Sequence, residues 1–227
     1  GLLHTMSKTG YNRELMIYCP KGAGKKMKQF LDLTGVHGID YKIKEVRGKF
    51  IDNPYFSISS LALDHDVACN GYMFEEKDRL RINKKKLSKH NIKGKEVGNL
   101  IRGKNVKVDG KLIKYKDLTF LEKGRKISFV FDTKYCSNVD KLIKNSDLAI
   151  MEGVFLGSTS VGKEMSKRYK HLTLEESVKA GKKGKVKELI ISHISQRYEF
   201  KEKFLLKEAK KIYKNVRIAS DLMKVTI

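Results

Sequence analysis

The sequence predicts an α/β layered fold built on a mixed sheet, on three observations. Short runs rich in β-branched and aromatic residues alternate with segments of helical spacing through the second half of the chain. The earlier apolar runs follow one another with little helix between them, closer to a meander than to a purely parallel sheet. Several runs also end on an imidazole or a carboxylate, at the strand exit where open α/β sheets build their sites.

Glu14–Cys19 (ELMIYC) is a short apolar strand that ends at Pro20. Ala23–Leu33 places Met27, Phe30 and Leu31 at helical spacing. Strands are expected at Tyr41–Val46, Tyr55–Leu63 and Cys69–Glu75. After a basic, glycine-bearing stretch, Lys126–Phe131 (KISFVF) is a strand and Val139–Ile143 a helix. Asp147–Met151 (DLAIM) is the next strand. A helix over Thr173–Ala180 starts at Thr173 with Glu176 three residues on, the spacing of a capping box. Val186–Ser192 reads as a strand, Lys203–Tyr213 as a helix and Val216–Ala219 as a last short strand.

A chain of 227 residues buries one substantial core, with room for a small appendage. It contains no apolar run of the roughly 18 residues a membrane span needs and no basic-then-apolar leader, so a cytoplasmic protein without a membrane partner is expected. Cys19, Cys69 and Cys136 are odd in number and unpaired in spacing, which reads as reduced thiols buried as small hydrophobes. The opening GLLHTM reads as the middle of a helix, so the chain is expected to be a fragment or to have lost an N-terminal part.

Charge is the strongest compositional signal. Forty-nine basic against 26 acidic residues give a formal net charge of +23, which favours a polyanionic partner. A lysine-biased proteome would spread such an excess evenly. Here residues 77–117 hold 15 Lys/Arg against 4 Asp/Glu, a net of +11, with short isolated apolar residues and Gly94, Gly98, Gly103 and Gly110. That stretch is expected to bury little and to leave the main core as an excursion, dividing the chain into a core of 1–76 and 118–227 and an arm of 77–117.

Four strands deliver chemistry at their C-terminal lip. Tyr55–Leu63 runs into Asp64 and His65, KISFVF ends at Asp132, DLAIM at Glu152 and KELIIS at His193. Histidine with carboxylate suits zinc or manganese, and two such ions can clamp the attacking and leaving oxygens of a phosphodiester. Spacing alone leaves the site open, because the chain has no His-x-His, Cys-x-x-Cys or His-Glu-x-x-His.

Five segments together resemble the ribonuclease Z family, in order and spacing over nearly the whole chain. LDHDVACNGYMFEEKDR (63–79) is similar to the family segment in which a metal-binding histidine precedes a Gly-Tyr strand and a Glu-Lys-Asp turn. FDTKYC (131–136) resembles its Gly-Asp-Thr-Arg segment, IMEGVF (150–155) its His-Glu-Ala-Thr-Phe, KHLT (170–173) its Gly-His-Ser-Thr, and SHISQRY (192–198) its Thr-His-Phe-Ser-x-Arg-Tyr. The first and last of these are the specific ones.

The resemblance implies a metallo-β-lactamase αββα sandwich, N-terminally incomplete, with an inserted basic arm. It implies two zinc ions per complete site, with manganese or magnesium as alternatives. By the match His65 binds one ion, His193 the other, and Asp132 bridges them. Glu152 orients His171, which protonates the leaving 3′-oxygen of precursor tRNA as the 3′ trailer is removed. Read without the family, His171 is an exposed loop histidine. The arm grips the tRNA, with Lys84, Lys85, Lys86, Lys93, Lys95, Arg102 and Lys104 as its phosphate contacts, and GKEVGNL (94–100) resembles the turn at its tip. Arg197 and Tyr198 would touch the RNA 3′ end by a phosphate contact and by stacking; their other reading is a strand-to-helix turn. The family's homodimer is expected too. His4, His37 and His90 match no ligand and are expected at the surface.

The departures bear on activity. The family's His-x-His-x-Asp-His motif, expected just before a segment like GLLHTM, has no counterpart in these residues. Met151, Lys95, Leu172 and Phe131 replace a family histidine, proline, serine and glycine. This chain alone is therefore expected to be inactive, and a separate segment bearing the motif becomes a possible partner. The alternative is a non-catalytic tRNA-binding subunit or half of a split enzyme.

Overall fold

The computed structural model describes residues 1–227 and divides into two compact units. The larger comprises Gly1–Asn53, Ser57–Phe74 and Lys126–Ile227, the smaller Pro54–Phe56 and Glu75–Arg125.

Helix α1 (Leu2–Lys8) is followed by strand β1 (Leu15–Pro20), helix α2 (Gly24–Leu33) and strand β2 (Tyr41–Val46). β1 and β2 pair in parallel, with Ile17 opposite Ile43, and α2 supplies the crossover that a parallel pair requires. Strands β3 (Gly48–Asp52), β4 (Phe56–Ala62) and β5 (Asn70–Glu76) form the expected meander. β3 is absent from the sequence reading. It is the edge strand of its sheet, where the charged GKFID pattern is tolerated on a half-solvated face.

The smaller unit contains β6 (Arg79–Ile82), α3 (Lys84–Leu87), α4 (Lys95–Ile101), β7 (Val106–Val108), β8 (Lys111–Ile113), α5 (Tyr115–Leu118) and β9 (Thr119–Glu122). The larger unit then resumes with β10 (Lys126–Val130), α6 (Ser137–Ile143), β11 (Leu148–Glu152), α7 (Ser160–Tyr169), α8 (Leu174–Lys183), β12 (Glu188–Ser192), a 3₁₀ turn at Gln196–Tyr198, α9 (Glu202–Ile212) and β13 (Val216–Ile218).

Seven strands form one sheet in the order β13-β12-β11-β10-β5-β4-β3, with β10 to β13 parallel. Helices α6, α8 and α9 cover one face around a core that includes Val139, Leu142, Val178, Leu189, Ile191 and Leu205. Ser128 is buried among them without penalty, because its hydroxyl donates to Leu142 O at 2.7 Å and meets Ser146 Oγ at 2.8 Å. On the other face Tyr18 of β1 packs on Phe50 at 4.8 Å between ring centroids, and Phe50 on Tyr72 of β5 at 6.2 Å. The layers thus run α2, the β1–β2 pair, the seven-stranded sheet, then α6, α8 and α9. This is the αββα order that was expected.

Helix α7 is the second element missing from the sequence reading. Its buried residues are Gly162 and Ser166, while its apolar Val161 and Tyr169 are exposed, so no apolar stripe marks its buried face. It packs through smallness: a Cβ at Gly162 would lie 1.9 Å from Leu156 O. Thr159 caps its start and Lys170 ends it in the left-handed conformation, φ +51°. The capping box of α8 is present, with Thr173 Oγ1 accepting from Glu176 N at 3.2 Å and Glu176 Oε2 from Thr173 N at 2.8 Å.

The smaller unit corrects the expectation that 77–117 buries little. Ile92, Leu100, Val106 and Leu118 form a buried cluster, packed by Ile82, Leu87, Val97 and Tyr115. Each short element contributes one or two apolar residues, too few to show a period, and only their convergence makes a core. β6 and β9 pair antiparallel, and Glu122 accepts from Arg79 Nε at 2.5 Å and from Arg81 Nε at 2.8 Å. Exposed pairs of this kind fix register more than they stabilise.

Leu100 has no exposed surface, so Leu100→Ala should cost about 2–5 kcal/mol within this cluster. Hydrogen exchange should show protection falling across 79–122 while β10 to β12 exchange as in the parent. Unaltered protection in 79–122 would show that these residues do not share a core.

Candidate active site

Strands β10, β11 and β12 are neighbours and parallel, with Val130 opposite Met151 and Glu152 opposite Ser192. Their C-terminal ends therefore form one edge, and Asp132, Glu152 and His193 leave it side by side. Asp132 (φ +53°) and His193 (φ +48°) both turn out of their strands in the left-handed region, uncommon for residues with a Cβ and frequent where a site dictates the backbone.

Glu152 is fully buried and organises the edge. Its Oε2 accepts from Asp132 N at 2.5 Å and lies 3.2 Å from His171 Nδ1; its Oε1 accepts from Leu172 N at 2.5 Å and Thr133 N at 3.4 Å. Burial pushes the carboxyl up to about 7, while the backbone donors at Leu172, Asp132 and Thr133 pull it back. With both oxygens engaged, Glu152 is committed to holding its neighbours.

His171 reaches the edge from the α7–α8 loop. Its backbone is fixed on both sides, N–H to Ser166 O at 3.0 Å and C=O to Ser166 Oγ at 2.5 Å. A hydrogen bond to Glu152 puts the proton on Nδ1 and leaves Nε2 facing the site. Burial and the nearby His65 hold the imidazole below the ordinary histidine range, against the pull of Asp132 and Asp66.

His193 Nε2 lies 3.1 Å from Asp132 Oδ1, and the His193 and His171 rings are 5.3 Å apart. His65, from the loop after β4, stacks at 5.1 Å from the His171 ring and places Nδ1 3.3 Å from Lys170 O. That bond requires a proton on Nδ1 and again frees Nε2. Lys170 in turn pairs with Asp66 at 2.9 Å, which holds the Asp66 carboxyl below its ordinary value.

Ligand atoms of Asp132, Glu152, His171 and His193 lie within 4.8 Å of one another, a grouping that could hold a metal ion. It includes Glu152 and His171 and leaves out His65, unlike the set expected from sequence. A metal on Glu152 would compete with the donors its oxygens already accept, whereas a metal on His171 Nε2 would leave the Nδ1–Glu152 bond in place. Asp132 and His193 keep a carboxylate oxygen and an imidazole nitrogen at one point, a donor set that fits a borderline-soft divalent cation.

The remaining residues of the sequence reading lie elsewhere. Lys84, Lys85, Lys86, Lys93, Lys95, Arg102 and Lys104 are all exposed in the smaller unit, and none forms an ion pair. Arg197 is exposed, with its guanidinium carbon 5.4 Å from the Phe155 ring centre. Tyr198 is partly buried against the core and its hydroxyl accepts from Leu156 N at 3.1 Å, the contact of a residue anchoring a turn. Lys170 and Asp66 were not singled out from sequence; nothing in their spacing marks them, and only the loop geometry brings them to His65.

No family model matches the chain. A ribonuclease Z of Nanoarchaeum equitans is 31% identical to it over 201 residues, covering 88% of this chain and 63% of that protein. A ribonuclease Z of Bacillus velezensis is 32% identical over 238 residues, covering 100% of this chain and 75% of that protein. Among solved structures, the metallo-β-lactamase fold protein YhfI of Bacillus subtilis superposes with a TM-score of 0.59 at 18% identity, over 97% of this chain and 68% of that one. At that identity the likeness establishes the fold alone, and the four layers are those of the metallo-β-lactamase fold.

The displaced Glu152 titration has a sign. Between about 4.5 and about 7 an unfolded chain has released this proton and the folded one retains it, so stability falls as pH rises. The slope from this group is at most about 1.4 kcal/mol per pH unit. In the metal-free protein Glu152→Gln should remove it, so that the variant loses less stability than the parent between pH 5 and pH 7 in urea titrations. Identical pH slopes would show that Glu152 is ionised in the fold throughout.

Proposed function

The chain belongs to the ribonuclease Z family, and from that premise we propose that it forms the strand-edge half of a metal-dependent endoribonuclease that removes the 3′ trailer from precursor tRNA. The observation that carries this reading is the Glu152–His171 pair beside Asp132 and His193 on a single sheet edge.

His65, Asp132 and His193 would hold zinc, or manganese or magnesium in its place, which supplies Lewis-acid charge at the scissile phosphate. The protein's own part is proton handling and positioning. The Glu152 carboxylate fixes the Nδ1 tautomer of His171, so that Nε2 carries a proton when the ring is charged. The lowered proton affinity of His171 makes that proton easy to give up. As water adds to phosphorus and the P–O3′ bond breaks, the Nε2 proton passes to the leaving oxygen, the tRNA ends in a 3′-hydroxyl and the trailer in a 5′-phosphate, and the proton released from water restores the charged imidazole through solvent.

The basic smaller unit supports tRNA as the substrate. Its unpaired lysines offer phosphate contacts that read no sequence, which suits an enzyme acting on many tRNA precursors. A second reading rests on the donor count: three side chains shared between two ions give each fewer than the three protein ligands zinc normally takes. On that count these 227 residues alone form a tRNA-binding subunit or half of a split enzyme, completed by a segment bearing His-x-His-x-Asp-His.

Two measurements test the reading. With the full ligand set supplied on the same chain or by a separate segment, His171→Ala should slow precursor cleavage by about 10²–10⁴-fold and leave metal content nearly unchanged. Loss of metal with that substitution would move His171 into the metal site. Deleting 80–115 should abolish salt-sensitive tRNA binding and leave hydrolysis of a small phosphodiester intact; tRNA affinity that survives the deletion would remove the smaller unit from substrate recognition.

A further inference from the structure

A cavity of about 690 Å³ is lined by His171 and not by His193. Its wall carries Lys163 and Lys167, one turn apart on α7 and therefore on one helix face, together with Lys179 of α8. All three are exposed and none forms an ion pair, whereas Lys134, also on the wall, is taken by Asp64 at 3.1 Å. The two carboxylates on the wall are already satisfied. Glu175 accepts from Gly157 N at 2.6 Å and Ser158 N at 2.9 Å, and Glu176 closes the capping box of α8. Bonds to neutral amides leave both carboxylates charged, so the wall sets four lysines, one of them paired with Asp64, against two acids and keeps a positive balance in a cavity of ordinary ligand size.

The sheet edge has a second cavity of about 440 Å³, lined by His193. Its charged lining is Glu199, Glu202 and Asp221, which repels phosphate. The two histidines that flank Asp132 therefore open on spaces of opposite sign, and an anionic strand is drawn to one of them.

We propose that the cavity bearing Lys163, Lys167 and Lys179 is the subsite for the retained 3′-terminal nucleotides of the RNA, with the lysines on their phosphates. The inference rests on the ribonuclease reading above and adds a strand polarity to it. In that reaction the leaving atom is O3′ of the nucleotide that stays on the tRNA, and His171 gives it a proton. The nucleotide bearing O3′ must then lie within hydrogen-bond reach of His171, and the adjoining space is this cavity. The phosphates upstream of that nucleotide follow along the lysine face of α7, and the trailer leaves on the opposite side of the scissile phosphorus.

The test uses the 227-residue chain and single-stranded RNA pentamers with a free 3′-hydroxyl, carrying 4-thiouridine at either the 3′ or the 5′ end. Photocrosslinks from the 3′-end label should map to 157–179, and those from the 5′-end label should not. In the combined variant Lys163→Ala, Lys167→Ala, Lys179→Ala that crosslink should fall about fivefold or more. The salt slope of pentamer affinity should also flatten by about two, from three lost phosphate contacts at roughly 0.7 each. Equal labelling of 157–179 from both ends, crosslinks confined to 192–221 or 75–125, or an unchanged variant would each overturn the subsite. Binding of whole tRNA, measured alongside, separates the two levels: salt-sensitive tRNA binding with a failed crosslink pattern rejects the subsite alone, and absence of tRNA binding rejects the ribonuclease reading with it.

Discussion

Four groups converge on the two oxygens of Glu152: the amides of Asp132, Thr133 and Leu172 and the imidazole of His171. Three separate pieces of chain, the β10 exit, the β11 end and the α7–α8 loop, are held in register by this one carboxylate. Burying it is costly, and the cost is met only while every donor is in place. Replacing Glu152 with an apolar residue would orphan three buried or half-buried amides at once, so the interaction works as a unit or not at all. The site inherits its precision from that condition.

The parallel sheet makes the convergence possible. Neighbouring parallel strands in register end together, and a chain leaving such an edge must turn sharply. At Asp132 and His193 the turn is taken with positive φ, a conformation that costs on the order of 1 kcal/mol or more for a residue with a Cβ. An asparagine or glycine would adopt it more cheaply. Aspartate and histidine are themselves among the side chains that adopt it more readily than most, and here they also meet, with His193 Nε2 against Asp132 Oδ1.

Much of this was legible in the sequence for the same physical reason that it folds. Apolar runs ending in Asp132, Glu152 and His193 report both the buried strands and their exits, and the Thr173–Glu176 spacing reports a helix start that is present as a capping box. What escaped was structure held by something other than apolar periodicity. Helix α7 packs through Gly162 and Ser166, β3 is a charged edge, and the cluster around Leu100 draws single residues from several short elements. His171 could not be distinguished from a loop histidine by composition. Only the family resemblance singled it out, and the loop geometry places its Nδ1 against a buried carboxylate. His65 was marked by its place at a strand exit and by its segment, but its partner was not: Lys170, whose carbonyl accepts from it, lies 105 residues away in the chain.

Charge operates here on two scales with different consequences. The excess on the smaller unit sits on exposed, unpaired lysines, and attraction of that kind is long-ranged, screened by salt and indifferent to sequence. It can bring a folded RNA to the protein but cannot say which bond is cut. Around the sheet edge the charges are few and opposed: free lysines beyond His171, acids beyond His193, and between them an acid–imidazole pair whose proton sits at a defined nitrogen. A phosphate backbone is drawn to the lysine side, and because its charge is the same in either direction the proposed polarity comes from the His171–O3′ contact rather than from charge. On the proposed reading, the choice of bond follows from which oxygen meets His171 Nε2, whose place is set by the loop that ends α7 in the left-handed Lys170 and returns through Ser166. On that proposal α7, which carries Lys163 and Lys167 and leads into the loop bearing His171, is the element on which the polarity of the substrate depends.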